Sequence, residues 1–349
     1  MKPETFIILT PGFPENESDS TCLPSQQLFV KLLKQQHPST EVVVISFQYP
    51  FAKADYQWNG CRVIALCGRR QGNLRRLLTW GRAWKALKRL RGEKKIKGLL
   101  SFWCGECALV GHRFAKQYNL LHKCWLLGQD AKAGNSYVRR IRPVEEELIA
   151  MSDFLAVTFF ENYGIRPAHI VPNGIDPAAF GDKQQPGTVD ILGVGSLIPL
   201  KQYDIFIAII AEIKNVFPAV KAVIAGKGPE EETLRKLIAQ YQLENNIYLA
   251  GELSHEAVIH LMQGSKILLH PSAYEGFSTV CLEALASGCT VISLIKPMNQ
   301  EIKNWITVSS QKQMTEASVR SLREPIEKIP VIQFTMQESV ETIMRLFEQ

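Results

Sequence analysis

The sequence predicts an α/β protein made of two doubly wound, parallel-sheet domains in tandem. Three observations carry that expectation. The chain has 349 residues, more than a single core usually organises. Short apolar runs alternate with amphipathic stretches in two successive series, the pattern of repeated β/α units. A polar segment bearing Pro and Gly, Gly181–Thr188, separates the two series. The expected domains are 1–180 and 187–330, with 331–349 forming a terminal helix that packs back on the first domain.

The first series opens with a strand at Thr5–Leu9, where Phe6-Ile7-Ile8-Leu9 runs into Thr10-Pro11-Gly12. A helix over Ser25–Gln36, a strand at Val42–Phe47 and an apolar run at Cys61–Cys67 follow. Next comes a basic stretch in which Leu74, Leu77, Leu78, Trp84, Leu87 and Leu90 fall on one helical face. A strand at Gly98–Trp103, a helix to Tyr118 and a strand at Cys124–Leu127 lead to the loop Gly128-Gln129-Asp130. A helix at Val144–Met151, a strand at Phe154–Thr158 and a strand at Ile170-Val171 complete the half, ending in the turn Pro172-Asn173-Gly174-Ile175-Asp176.

The second series repeats the alternation. Strands are expected at Ile191–Gly195, Ala222–Ala225, Ile247–Ala250, Ile267–Leu269 and Thr290–Ser293. Helices between them span Tyr203–Val216, Glu230–Tyr241, His255–Met262 and Thr279–Ala286. Two further helices are expected at Met314–Arg323 and Ser339–Phe347. Ligands of parallel sheets bind outside the carboxyl ends of the strands. Gly12, Gly128, Asn173, Gly195, Gly226 and Glu275 occupy such ends, so the expectation is one cleft between two domains.

Composition is that of an ordinary globular chain, 46% apolar and 21% charged. The opening Lys2-Pro3-Glu4 leads into an apolar run too short to export or span a membrane. The eight cysteines show no disulfide-framework spacing, which suits a reducing cytosol. Net charge is +6, unevenly spread. Residues 1–180 hold 25 Lys and Arg against 15 acids, whereas 181–349 hold 15 against 19. Arg69–Lys97 alone has twelve Lys or Arg and one acid, Glu93. That segment fits an anionic phospholipid surface, with Trp80 and Trp84 at the interface; it equally fits a helix whose apolar face is the domain's own core. No nucleic-acid-binding module accompanies the charge, and no nucleic acid is expected as a partner.

The chemistry concentrates in His270–Ser293, HPSAYEGFSTVCLEALASGCTVIS. Its loop carries Glu275, and its helix carries Glu283 eight residues on. Small residues at the helix mouth suit phosphate binding by backbone N–H groups, and a carboxylate one turn in suits ribose or sugar hydroxyls. A capping box does not explain Glu283, because position 280 is Val. Two solvated glutamates remain the plain alternative. Three more loops bear on the same ligand. Gly195-Ser196-Leu197-Ile198-Pro199-Leu200-Lys201 supplies a cation. Gly226-Lys227-Gly228-Pro229 offers close backbone approach, or an ordinary tight turn. Gly251-Glu252-Leu253-Ser254 offers an N-cap. Neither a Walker A nor a GxGxxG pattern is present.

Taken together, VPNGID (171–176), VGSLIPLKQYD (194–204), AGKGPEEETLR (225–235), GELSHEAV (251–258) and the 270–292 stretch resemble glycosyltransferase family 4. These are the retaining, group 1 nucleotide-sugar transferases of the GT-B fold. The likeness is close over about 150–300 and holds only in layout before that. It implies two Rossmann-like domains facing each other across a cleft. It also implies transfer of a sugar from a UDP- or GDP-linked donor to a glycan or lipid-linked acceptor, in surface polysaccharide or glycolipid synthesis. No cofactor or metal is implied.

The resemblance further assigns roles. Lys201 would hold the donor diphosphate, and Glu275 would hold hydroxyls of the transferred sugar. Gly276, Phe277, Ser278 and Thr279 would line the sugar and phosphate with backbone, and Glu283 would accept from the ribose. Gly12, Asn173, Gly226 and Gly228 would complete the donor site. Ser196 stands where the family often has Arg, leaving Lys201 alone or with Lys227. In the first domain Gln129 would contact the sugar and Asp130 would serve as acceptor base; a polar strand-end turn is the other reading. A non-catalytic binding or scaffolding protein of the same fold is the alternative function. The implied place of action is the cytoplasm, on the inner face of a membrane. Cys104-Gly105-Glu106-Cys107 is either a redox pair or two incidental buried thiols.

Overall fold

The computed structural model describes residues 4–69, 72–181, 188–324 and 328–348. The chain divides into two compact units: Met1–Gly174 with Phe334–Gln349, and Ile175–Gln333. The boundary thus falls at Gly174 rather than 180. Most of the expected hinge, 182–187, lies outside the described residues.

In the first unit, β1 (Glu4–Gly12), α1 (Pro24–Gln36), β2 (Glu41–Tyr49), β3 (Ala54–Trp58), β4 (Cys61–Ala65), α2 (Asn73–Glu93) and β5 (Lys95–Phe102) follow in order. Then come α3 (Glu106–Tyr118), β6 (His122–Leu126), α4 (Ser136–Ile141), β7 (Leu148–Ala150), α5 (Asp153–Tyr163) and β8 (His169–Ile170). The eight strands form one sheet in the order β3-β4-β2-β1-β5-β6-β7-β8. Phe6, Ile7, Ile8 and Leu9 of β1 are fully buried, as a central parallel strand covered on both faces requires. One face packs on α1 through Phe29, Val30 and Leu33. The other packs on α2 and α3 through Leu87, Leu90, Val110 and Phe114.

The fold adds one element and overturns three local expectations. Ala54–Trp58 is an added strand, paired antiparallel with β4. Asn59 and Gly60 between them have φ of 43° and 74°, the primed hairpin turn that an Asn-Gly pair favours. The expected helix over Val144–Met151 is instead a 3₁₀ turn followed by β7, held in the sheet beside β6. The expected strand Phe154–Thr158 is helix α5, started by the Ser152 hydroxyl accepting from Leu155 N at 3.1 Å. A short apolar run suits either state by pattern, and the cap decides it. On α2, Leu77 and Leu78 are exposed at 56% and 60%, so the apolar face does not include them. Arg70 and the Leu74 side chain lie outside the described residues. Trp80 donates to Glu106 Oε2 at 2.8 Å and Trp84 packs edge-on to Phe114, so both tryptophans serve the unit's own packing.

The second unit contains β9 (Val189–Val194), α6 (Tyr203–Lys214), β10 (Ala222–Ala225), α7 (Glu231–Gln240), β11 (Ile247–Gly251) and α8 (His255–Gln263). After these come β12 (Ser265–His270), α9 (Thr279–Ala286), β13 (Thr290–Ser293), β14 (Trp305–Thr307) and α10 (Gln311–Arg323). Its sheet is parallel, in the order β11-β10-β9-β12-β13-β14. Strand order reverses between β9 and β12, and such a switch point opens a ligand crevice beyond the strand ends.

The chain re-enters the first unit at Phe334 and ends in α11 (Met336–Arg345). Thr335 and Glu338 close a capping box on this helix. Met336, Val340, Ile343, Met344 and Phe347 join the core under α1. Phe347 meets Phe6 edge-on with centroids 4.8 Å apart, and Gly98 leaves room for its ring. Gly174 has no space for a Cβ, because the backbone of Thr335 and Met336 occupies it. Ser339 Oγ donates to Pro172 O at 2.8 Å. The Pro172-Asn173-Gly174 turn is thereby the seat of the returning segment.

Candidate functional site

The second unit gathers four loops at the switch point by backbone hydrogen bonds. Gly195 N donates to Ala225 O at 3.0 Å and Leu197 N to Lys227 O at 3.1 Å. Gly226 N donates to Gly251 O at 2.8 Å, and Ala273 N to Leu200 O at 2.9 Å. The loops after β9, β10, β11 and β12 are therefore one fastened assembly. Gly226 and Gly228 owe their identity to it. A Cβ at Gly226 would overlap Gly195 O, and one at Gly228 would overlap Leu197 O. Their glycines admit a neighbouring loop, a different reason from the approach to phosphate that the sequence suggests.

Lys201, Glu275 and His270 meet at the centre of this assembly. Lys201 Nζ and Glu275 Oε1 form an ion pair, with both side chains 19% exposed. His270 Nε2 lies 3.1 Å from the same Oε1. Burial pushes the Glu275 carboxyl up, but the His270 hydrogen bond and the Lys201 charge outweigh it and hold the group at about 2. Burial likewise lowers His270, so a neutral imidazole supports a carboxylate. Tyr203, buried beneath, is pushed up first by burial and then by Glu275.

Glu283 sits on α9, its side chain 15% exposed, with His255 Nε2 2.9 Å from Oε1. His255 begins α8, which Ser254 caps by accepting from Ala257 N at 3.2 Å. The Glu283 hydrogen bond raises the His255 pKa. No side chain caps the start of α9 at Ser278. Ser196 and Lys227 are exposed. Phe277 is buried at 5% and stacks on Trp305. His270, His255 and Trp305 were not assigned from sequence, although the first two lie inside the quoted motifs.

Gly12, Asn173, Gln129 and Asp130 belong to the first unit. Gly12 ends β1, where an added Cβ would make ordinary contact with Cys22 and Tyr49. Asn173 is buried at 2% beside the returning segment. Gln129 is exposed. Asp130 is 7% exposed and accepts from Cys104 N at 2.8 Å, Gly128 N at 2.9 Å and Leu127 N at 3.2 Å. Burial raises its pKa against those bonds. Both carboxylate oxygens accept from backbone, so Asp130 clamps its loop. Cys104 and Cys107 are buried at 1% and 2%, and burial pushes the Cys107 thiol well up. That environment does not suit a redox pair.

Two parallel α/β units, one with its ion pair at the switch point, define a protein of the GT-B kind. Residues 180–320, within the second unit, match the family described as glycosyl transferases group 1. Over 127 residues the chain is 33% identical to the phosphatidylinositol N-acetylglucosaminyltransferase gpi3 subunit of Schizosaccharomyces pombe, covering 36% of this chain and 28% of that one. A human phosphatidylinositol N-acetylglucosaminyltransferase chain is 29% identical over 163 residues, covering 46% and 32%. The chain thus spans about a third or less of these relatives. Among solved structures, Anabaena HepE in complex with UDP and glucose superposes with a TM-score of 0.66 at 15% identity, covering 99% of this chain and 97% of that one. That likeness concerns the fold.

Proposed function

We propose that the protein is a retaining glycosyltransferase that moves a sugar from a UDP- or GDP-linked donor to a glycan or lipid-linked acceptor. The observation that carries this reading is the Lys201–Glu275 ion pair on the two loops flanking the switch point, with Glu283 one helix further in. Lys201 takes the donor diphosphate and offsets the charge that grows as the glycosidic bond breaks. Glu275, ionised and held by His270, receives hydroxyls of the sugar, and Glu283 receives those of the ribose. Gly276, Phe277, Ser278 and Thr279 line the sugar and phosphate. In the transfer the bond from the anomeric carbon to the phosphate oxygen breaks and the bond to the acceptor oxygen forms on the same face. The acceptor proton passes to the departing phosphate. No metal or other cofactor enters that scheme.

A phosphatidylinositol-directed relative and a fold neighbour holding UDP favour a lipid acceptor and a uridine donor. The exposed Leu77 and Leu78 of α2, among exposed Arg75, Lys85 and Lys88, favour attachment to an anionic inner membrane face, where each Lys or Arg contributes roughly 1 kcal/mol. The test is donor hydrolysis across a UDP- and GDP-sugar panel with wild type and Lys201→Ala. Release of nucleotide by wild type and its loss in the variant supports the reading. Hydrolysis of no donor, with no nucleotide raising Tm, defeats it.

A further inference from the structure

The first unit holds an open cavity of about 880 Å³ between α3, the start of β6 and α4. It lies at the far end of β6 from Gln129 and Asp130, since His122 opens that strand and those two residues follow its close. It is therefore distinct from every group assigned to donor or acceptor above. Five cations line it: Arg113, Lys116, Arg139, Arg140 and Arg142. All five are exposed, and among the described residues none forms an ion pair. The single lining carboxylate, Glu147, lies 3.1 Å from His112 Nδ1 and accepts from Val144 N at 3.1 Å. Burial raises the Glu147 carboxyl most, but the His112 hydrogen bond and charge, with the Val144 N–H and His122, together hold the group below its ordinary value. Even counting that carboxylate, the lining is strongly positive.

A second, independent observation comes from His122. This residue also lines the cavity and is 7% exposed. Its Nε2 lies 2.8 Å from Ser101 Oγ, while its Nδ1 is buried without a hydrogen-bond partner. An unmet buried ring nitrogen costs on the order of 1–3 kcal/mol, and such groups ordinarily find a partner. With the Ser101 hydroxyl donating to Nε2, Nδ1 carries the proton and is a donor. A buried, unmet ring nitrogen on one lining residue and cationic side chains on five others complement an oxyanion.

We propose that this cavity binds a phosphate group carried by a small ligand, a phosphomonoester or a diphosphate. Arg139 and Arg142 engage its oxygens from the helix end, Arg113 and Lys116 from α3, and His122 Nδ1–H from below. The volume leaves room for the organic part of the ligand. Val144, 60% exposed on the rim, suits a lipid carrier of the phosphate as well as a soluble metabolite.

The test uses the full chain and inorganic pyrophosphate. Wild type is expected to show a saturable rise in Tm with pyrophosphate, because binding to the folded state stabilises it, and a shift of the His122 Nδ1 resonance in NMR. Arg139→Glu with Arg142→Glu changes two exposed side chains. It should weaken pyrophosphate binding by roughly tenfold or more per lost charge-assisted bond, with the nucleotide-dependent Tm shift unchanged. Vesicles of phosphatidylcholine with and without phosphatidic acid identify the carrier. Sedimentation with phosphatidic acid that pyrophosphate reverses and the double variant loses upholds the site with a lipid ligand; pyrophosphate binding without sedimentation upholds it with a soluble one. Equal pyrophosphate responses in wild type and the double variant, or an unmoved His122 resonance at saturation, overturn the proposal.

Discussion

His270 Nε2 stands 3.1 Å from Glu275 Oε1, the oxygen that also takes the Lys201 ammonium. One carboxylate oxygen thus joins a neutral, buried imidazole on its own strand end to a cation on the neighbouring loop. In the proposed reaction a donor diphosphate would compete for Lys201 and free Glu275 for sugar hydroxyls, while His270 would keep it in place.

Glu275→Gln removes the charge and keeps the shape. Donor turnover should fall by about two to three powers of ten, the size of loss seen when one polar group aimed at developing charge is deleted. UDP or GDP affinity should change little, because the proposed site assigns Glu275 to the sugar rather than the nucleotide. Steady-state kinetics beside calorimetry with free nucleotide separates the two effects.

Glu283→Gln should act on the nucleoside instead. Losing a charged acceptor for ribose hydroxyls costs about 1.5–3 kcal/mol, so nucleotide affinity should drop by one to two powers of ten. The same variant should lower the His255 pKa, since the Glu283 hydrogen bond is its leading raising cause. Imidazole NMR titration reads that change without any ligand present.

Gly228→Ala tests the loop assembly. Its Cβ would overlap the backbone oxygen of Leu197, which a side-chain rotation does not relieve, so stability should fall by about 1–3 kcal/mol. Gly251→Ala meets no neighbour but adopts φ of 70°, so any loss there is backbone strain of order 1 kcal/mol. Urea unfolding of both variants compares overlap with strain.

Phe347→Ala should cost about 3–5 kcal/mol, as a buried aromatic removed from a core does. Its ring is 4% exposed and rests on Phe6. Arg345→Ala, with the side chain 69% exposed, should stay within roughly 0.5 kcal/mol. Thermal and urea unfolding of the two variants side by side checks the contrast.

Acid should destabilise the protein in two windows. Burial depresses His122 from 6.5 to about 3, with His112 lowering it further and Glu147 opposing. Between those values the unfolded chain binds a proton that the folded one does not, so stability is lost as pH falls from 6.5 toward 3. Glu275 is held at about 2 against an ordinary 4.5, so its contribution is present above 4.5 and lost as pH falls toward 2. Unfolding free energy against pH in His122→Gln should shrink the upper window, to which buried His270 also contributes, and leave the lower one.

Much of the architecture was legible in the chain. The runs Phe6–Leu9 and Ile267–Leu269 read as buried strands because parallel sheets covered on both faces demand unbroken apolar residues. Thr279–Ala286 and Thr290–Ser293 were legible to the residue, with Gly288 ending the helix at φ of 84°. Glu275 and Glu283 stood out because their spacing has no capping explanation. Other features depend on partners remote in sequence. Leu148–Ala150 is a strand only because β6 and β8 flank it. Asp130 became a clamp because Cys104 N reaches it from another strand end. The glycines at 226 and 228 are set by a loop thirty residues earlier. Periodicity and spacing act along the chain, so the two α/β series and the acidic pair follow from residue order. Which oxygen meets which nitrogen is a matter of loops converging in space. That convergence joined His270 to Glu275, seated the last helix on the first unit, and set His122, with its unmet Nδ1, in the lining of a basic cavity.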